Sequence, residues 1–377
     1  MITPFEIAVP QAQIEDLRER LTMTRWPSAI GAGWSHGQPV GFIRELAEHW
    51  LTGYDWRAHE AELNRQPQFQ TEIDGQTIHF VHVKSPEPNA LPLVLTHGWP
   101  STFYEYYGVI GPLSDPRAHG LDPSIAFDLV IPSVPGYGFS SPMTQAGWDP
   151  MRTARAWDTL MRRLGYERYG AQGGDIGALV SKELGIVKPE GLVGVHLQQV
   201  FAFPNGTPGE MDRLTPFEKA GFANLDNFRK YSGYQDIQNK RPGTLAYGLV
   251  DSPAALLAWN AELFFGFEGE GATRVDRDRY LTHVALYWFT ATGGSAANMY
   301  FEGTQNGGSG YREVRNDTLT GVAVFPWDFR SVRSFAERSN NIVHWTEMPR
   351  GGHFAAVDAP ELLVEDMRRF FAGVMGR

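Results

Sequence analysis

Residues 167–178 read ERYGAQGGDIGA, and the next nine, LVSKELGIV, carry a helical pattern to Val187. A short strand-like run therefore enters Gly173-Gly174-Asp175-Ile176-Gly177 and turns directly into a helix. The apex residue of so sharp a turn stands clear of the backbone. It is the place that Ser takes in G-x-S-x-G, with Asp175 in its stead. Small residues flank it because the turn is strained and the helix packs close. The plain alternative is an ordinary strand-to-helix turn in which Asp175 caps the helix.

Similar runs lie on both sides. LPLVLTHG (91–98) and FDLVIPSVPGYG (127–138) precede it; GLVGVHLQQV (191–200), LTGVAVFPWD (319–328) and NIVHWTEM (341–348) follow. Helical segments at Arg152–Leu164 and Ile176–Val187 separate several of them, which predicts a mostly parallel sheet with helices on both faces. Upstream, QFQTEIDGQTIHFVHV places Asp74-Gly75 between two alternating runs, a hairpin signal. The first seventy residues read as amphipathic helices, with Ile14, Leu17 and Leu21 on one stripe and Phe42, Leu46 and Trp50 on another. Residues 204–318 are too long for a connection and read as a helical lid inserted after the sixth strand. The expected division is a helical extension (1–70), a first core part (71–203), the lid (204–318) and a second core part (319–377).

With 377 residues, 42% of them hydrophobic, the chain can bury a large core. It has no Cys, which excludes disulfides, thiolate metal sites and a cysteine nucleophile. A formal charge of −10 argues against a nucleic-acid partner. The N-terminus lacks the basic-then-apolar pattern of a signal peptide, and the longest uncharged stretch, Val284–Phe301, is broken by polar residues and glycine. A cytoplasmic protein without a membrane anchor is expected.

In parallel sheets the reactive groups lie beyond the carboxyl ends of the strands. There the sequence offers His97-Gly98-Trp99-Pro100, then Asp175, then Phe325-Pro326-Trp327-Asp328, then Gly351-Gly352-His353. The order nucleophile, acid, base is that of α/β-hydrolases, so this is the expected fold class. A carboxylate nucleophile suits displacement at saturated carbon, forming an alkyl ester that His353, oriented by Asp328, hydrolyses with water. The N–H groups of Trp99 and Ile176 are the candidate oxyanion donors. Epoxides and alkyl halides suit such attack.

Together RWP (25–27), HGWPSTFYEYY (97–107), PGYGFS (135–140), QGGDIGA (172–178), GYQDIQNKRPGTLAYGLVDSPAALLAW (233–259), LYWFTATGGSAANMYFEG (286–303) and RGGHFAAVDAPELL (350–363) resemble the microsomal-type epoxide hydrolases. That branch includes bacterial soluble enzymes and juvenile hormone epoxide hydrolases, and the resemblance spans nearly the whole chain. It implies two lid tyrosines as acids, at Tyr234 and Tyr300. Where membrane-bound members use Glu, this sequence has Asp328.

His79 and His82 lie three apart in one strand and point to opposite faces, so no metal site is expected there. His97 reads as a loop residue and Gly136-Tyr137-Gly138 as a turn. No cofactor is expected. The expected partner is a small-molecule epoxide, bulky and apolar or aromatic by the lid's composition; a homodimer stays open. The competing readings are a haloalkane dehalogenase-like hydrolase and a noncatalytic binding protein of the same fold.

Overall fold

The computed structural model describes residues 1–29, 33–266, 275–305 and 314–376. Among them nine strands form one sheet: β1 (Thr3–Phe5), β2 (Gln68–Ile73), β3 (Gln76–Val83), β4 (Leu91–Thr96), β5 (Phe127–Pro132), β6 (Tyr169–Gly173), β7 (Leu192–Leu197), β8 (Asn316–Val324) and β9 (Asn340–Glu347). Their order is β1-β2-β3-β5-β4-β6-β7-β8-β9. The first three strands join antiparallel; every pair from β5 and β4 to β8 and β9 is parallel. The hairpin turns at Asp74-Gly75, both at positive φ, as a two-residue loop that follows strand twist requires.

All residues of β5 and β6 are buried, because helices cover both faces of the central strands. Helices 107–114 and 360–375 pack together, as do helices 150–163 and 176–187. Registers align Thr96 with Gly173 and Gly173 with Leu197. The carboxyl ends of β4, β6 and β7 therefore end level, and the segments that leave them share one edge of the sheet.

Strand β1 is a departure from the expected all-helical start. Three residues are too few to show an alternating pattern, yet they pair with β2 at the sheet's edge. The long insertion consequently follows the seventh strand, not the sixth. It carries helices at 216–231, 233–240, 242–251, 253–265, 277–289, 293–296 and 298–304.

The N-terminal helices 11–22 and 40–52 lie against helix 253–265 of that insertion. Ile14, Leu17 and Leu21 are buried as their spacing predicts. In the second helix Ile43 joins Leu46 and Trp50 in the core. Phe42 turns out half-buried, edge-on to Phe265 at 5.3 Å, because its flank of the helix faces the insertion. Arg20 reaches the backbone carbonyl and carboxylate of Asp251 at 2.8 and 2.9 Å. No described helix is long and apolar enough to cross a membrane.

Candidate active site

The turn between β6 and helix 176–187 forces Asp175 to φ 52°, ψ −125°. A non-glycine residue there costs about 1–3 kcal/mol and persists only where its surroundings hold it. The close packing that demands glycine is explicit: a Cβ on Gly177 would stand 1.8 Å from the carbonyl oxygen of Thr96. One on Gly98 would lie 2.4 Å from Cβ of Asp175. Asp175 occupies the helix N-cap position, yet its side chain caps nothing. The carboxylate is left for other work.

Its Oδ1 accepts the backbone N–H of Trp99 at 2.9 Å, so the HGWP loop leaving β4 reaches the apex. Ile176 follows as the first helical residue, buried in the wall of the same cavity. The backbone N–H of a first-turn residue has no partner within its own helix. Oδ2 of Asp175 stands 3.5 Å from Nε2 of His353, a close ionic approach beyond good hydrogen-bond range. On its other side the His353 ring donates Nδ1–H to Oδ1 of Asp328 at 2.8 Å. Asp328 neither pairs with Arg330 nor caps a helix at Phe329: the Arg330 guanidinium goes to the carbonyls of Pro326 and Phe217. The loops bearing acid and base are joined directly, Trp327 N–H donating to Gly351 O at 3.2 Å.

Two residues not singled out in the sequence complete this arrangement. Leaving β7, Gln199 accepts the backbone N–H of Asp175 at 2.7 Å through Oε1, and its Nε2 donates to Oδ2 of Asp328. Gln198 donates through Nε2 to the same oxygen at 3.2 Å and to the carbonyl of His353 at 2.7 Å. Paired amides at the end of the strand next to the nucleophile's were the available signal. A third such residue is Glu105, fully enclosed below the HGWP loop and bonded by the Ser101 hydroxyl.

Charge is finely set. Burial opposes the charged form of His353, but the carboxylates of Asp328 and Asp175 outweigh it and push the ring's pKa well above its usual value. Burial likewise opposes charge on Asp328, yet the charge and hydrogen bond of His353, with the N–H of Phe329 and Gln199, hold its carboxyl below the usual range. Glu105 goes the other way: burial lifts it to about 7, against the pull of Ser101 and His353. His97 donates Nδ1–H to the Gly98 carbonyl and accepts the Val134 N–H at Nε2, both loop-holding contacts. Burial lowers its pKa to about 4.

Above these groups lies a cavity of about 520 Å³ that Asp175, His353, Asp328, Tyr234 and Tyr300 all line. Tyr234 comes from helix 233–240 and Tyr300 from helix 298–304; both are buried, with ring centroids 6.5 Å apart. The Trp99 ring stacks on Tyr234 at 5.0 Å and meets Tyr300 edge-on at 6.0 Å. Behind Tyr234, Gln238 accepts the indole N–H of Trp259, from helix 253–265, at 3.2 Å. His79 and His82 are held apart, by Ser133 and Gln68 in one case and Tyr166 in the other. Among the described residues no group of three or more His, Asp or Glu side chains is arranged to hold a metal ion.

Residues 2–106 match the family model described as epoxide hydrolase N terminus, and residues 92–232 match that of the alpha/beta hydrolase fold. Epoxide hydrolase 1 of Sus scrofa is 32% identical over 98% of this chain and 88% of its own. Juvenile hormone epoxide hydrolase 1 of Ctenocephalides felis is 31% identical over 97% of this chain and 84% of its own. Among solved structures, an Aspergillus niger epoxide hydrolase superposes with a TM-score of 0.87 at 32% identity, covering 99% of this chain and 97% of that one. The juvenile hormone epoxide hydrolase of Bombyx mori gives 0.89 at 26% identity, covering 100% and 95%. An α/β-hydrolase sheet with a carboxylate at its sharpest turn, matched along almost its entire length by these proteins, makes this chain a member of the epoxide hydrolase family.

Proposed function

We propose that the chain hydrolyses epoxides to vicinal diols in two covalent steps on Asp175. The observation that carries this reading is the division of labour between the two oxygens of that carboxylate. Oδ1 already accepts the Trp99 N–H, Oδ2 lies 3.5 Å from Nε2 of His353, and both residues line the cavity. In the first step Oδ2 attacks an oxirane carbon, the C–O bond breaks, and the departing oxygen takes a proton from Tyr234 or Tyr300. A hydroxyalkyl ester of Asp175 results, with Oδ1 as its carbonyl oxygen.

Esterification removes the Asp175 charge, and with it part of what keeps His353 protonated. The ring's pKa falls, the proton departs to solvent, and Nε2 can then take one from water attacking the ester carbonyl. Trp99 N–H and Ile176 N–H stabilise the oxyanion, the alkoxide leaves as the diol after taking the proton back from His353, and the proton of the freed Asp175 acid together with one from solvent restores the tyrosine hydroxyl and the charged His353. Asp328 holds the imidazole in its tautomer throughout.

Residues 204–318 act as the lid that supplies the two hydroxyls. The substrate is bulky and apolar: the cavity walls include Phe201, Leu225, Phe228, Leu263 and Phe329, and a small alkyl epoxide would leave most of about 520 Å³ empty. Two tyrosines facing one carboxylate favour an epoxide oxygen over a halide, which needs no proton. A single turnover in heavy-oxygen water tests the scheme. Label should appear in the Asp175 carboxylate and not in the first-turnover diol; label in that diol means that water attacks the epoxide directly.

A further inference from the structure

The peptide unit between Gly98 and Trp99 is engaged at both ends. Its N–H, on Trp99, donates to Oδ1 of Asp175 at 2.9 Å. Its C=O, on Gly98, accepts Nδ1–H of His97 at 2.9 Å and lies 3.1 Å from the Ser101 hydroxyl. The unit is planar, so whatever grips the carbonyl also aims the N–H. Ser101 is fully buried and is itself held, its own carbonyl accepting the Tyr287 hydroxyl at 2.7 Å. The Ser101 hydroxyl touches a second acceptor, Oε2 of the buried Glu105. One hydroxyl has one proton and cannot donate to Gly98 and to a carboxylate at once. Both contacts are made together only when Glu105 carries a proton of its own and donates it to Ser101 Oγ.

We infer that Glu105 and Ser101 are positioning residues for ester breakdown: the Glu105 acid donates to Ser101, Ser101 donates to the Gly98 carbonyl, and the peptide so gripped presents Trp99 N–H to the oxyanion. Hydrogen bonds in such a chain polarise one another, so the donor is strengthened as well as aimed. Once Glu105 ionises, the Ser101 proton turns to the carboxylate and the Gly98 carbonyl keeps only His97. His97 cannot switch in this way, because its Nε2 accepts the Val134 N–H and fixes the proton on Nδ1.

Burial supports the acid form of Glu105, lifting the carboxyl to about 7. Arg279 of helix 277–289 and charged His353 favour the carboxylate, whereas Asp175 disfavours it. Tyr106 and Tyr287 also face Glu105, both neutral because burial lifts them far above the usual range. Helix 107–114 brings only Tyr107, bonded to the Leu63 carbonyl, and helix 355–358 only Asp358. On β5 the one such group is Asp128, held by Lys84 and Tyr166. Esterification of Asp175 removes a charge that favours the acid form, and the loss of the His353 proton removes one that opposes it. The two changes offset each other, so the relay stays in place when the ester forms.

This inference rests on the epoxide-hydrolase reading above, and the test keeps the two apart. The alkyl-enzyme is formed by a brief mix with styrene oxide, and its decay is followed by intact-protein mass across the pH range. In the wild-type protein the acceleration that neutral His353 brings should turn into a decline above neutrality, as Glu105 ionises. Glu105→Gln supplies an amide N–H in place of the acid O–H, so it should rescue the relay: the rise with pH remains and the decline disappears. Ser101→Ala should slow ester decay by roughly threefold to tenfold at every pH, with no decline above neutrality, against the ~10²–10³ that losing a donor outright costs. Alkylation should change little in either variant, whereas a merely structural lesion would slow both steps alike. Infrared spectroscopy gives a readout without turnover: a protonated-carboxyl band, lost in Glu105→Gln, should be present below neutrality and absent above it. Ester decay in Ser101→Ala at wild-type speed, a decline that survives in either variant, or no such band overturns the relay and leaves the hydrolase intact. If the wild-type protein forms no ester with any epoxide, the activity reading and the relay's part in it fall together.

Discussion

Gln199 accepts the backbone N–H of Asp175 at 2.7 Å, so the strained residue of the sharp turn is held by the side chain of the neighbouring strand. The same amide donates to Asp328, and only one orientation of the amide satisfies both contacts. Replacement by Met would keep the volume and leave a nearly buried N–H without its acceptor. Gln199→Met should cost about 1–3 kcal/mol of stability and slow both covalent steps by about tenfold or more. Thermal unfolding and single-turnover kinetics read these separately; an unchanged melting temperature would mean that the turn holds itself.

Ester breakdown needs a base that ester formation does not. His353→Gln should therefore accumulate the alkyl-enzyme, visible as an adduct of the full substrate mass that disappears when Asp175 is also changed to Ala. In the wild-type protein the breakdown step should accelerate as pH rises, because the neutral ring is the active form. Its midpoint should lie below the pKa of His353 in the free protein, where the Asp175 charge still holds the proton on. A folded His353→Gln protein that is inactive yet keeps a clean, unmodified mass would remove the histidine from the scheme.

Opening the ring leaves an alkoxide unless an acid is near, and Tyr, with a reference pKa of about 10, stays protonated at neutral pH while able to donate. Tyr234→Phe or Tyr300→Phe alone should slow alkylation by about tenfold to a hundredfold, since either hydroxyl partly replaces the other. The double variant should lose most of the remaining rate with ester breakdown nearly unchanged. Stopped-flow Trp fluorescence resolves the two steps. Alkylation at wild-type speed in the double variant would reduce both rings to packing.

Glu105 offers a pH test independent of turnover. Its carboxyl titrates near 7 in the folded protein, driven by burial, and near ~4.5 when unfolded. Between these values the unfolded chain releases a proton that the folded one retains, so stability is lost as pH rises through the window. Glu105→Gln should abolish that loss, gaining roughly 2–3 kcal/mol over wild type at pH 8 and little at pH 4. Parallel melting-temperature curves against pH would refute this.

The sheet was legible in the sequence because its buried strands are short apolar runs closed by glycine and proline, and all six such runs after the hairpin are strands. Strand β1 was not, since a three-residue edge has no period. Asp175, Asp328 and His353 could be found by asking what each strand end presents. Gln198 and Gln199 escaped that question because two amides carry no chemistry of their own; their importance lies in the groups they join. Tyr234 and Tyr300 look like any other aromatic residue of a helical segment, and only the family resemblance separated them. Phe42 shows the limit of periodicity: the pattern locates a face but cannot tell core from a flank covered by another segment.

Under the two-step scheme proposed above, the packing of helices 11–22 and 40–52 on helix 253–265 would give those two helices a mechanical role at a distance. That helix carries Trp259, which holds Gln238 behind Tyr234, so the brace and the proposed proton donor are links in series. Asp175, Gln199, Asp328 and His353 hang instead from the sheet and do not share the linkage. Loosening the brace would misplace the acid while leaving the hydrolytic groups in register. Such a lesion would start the reaction badly and finish it well.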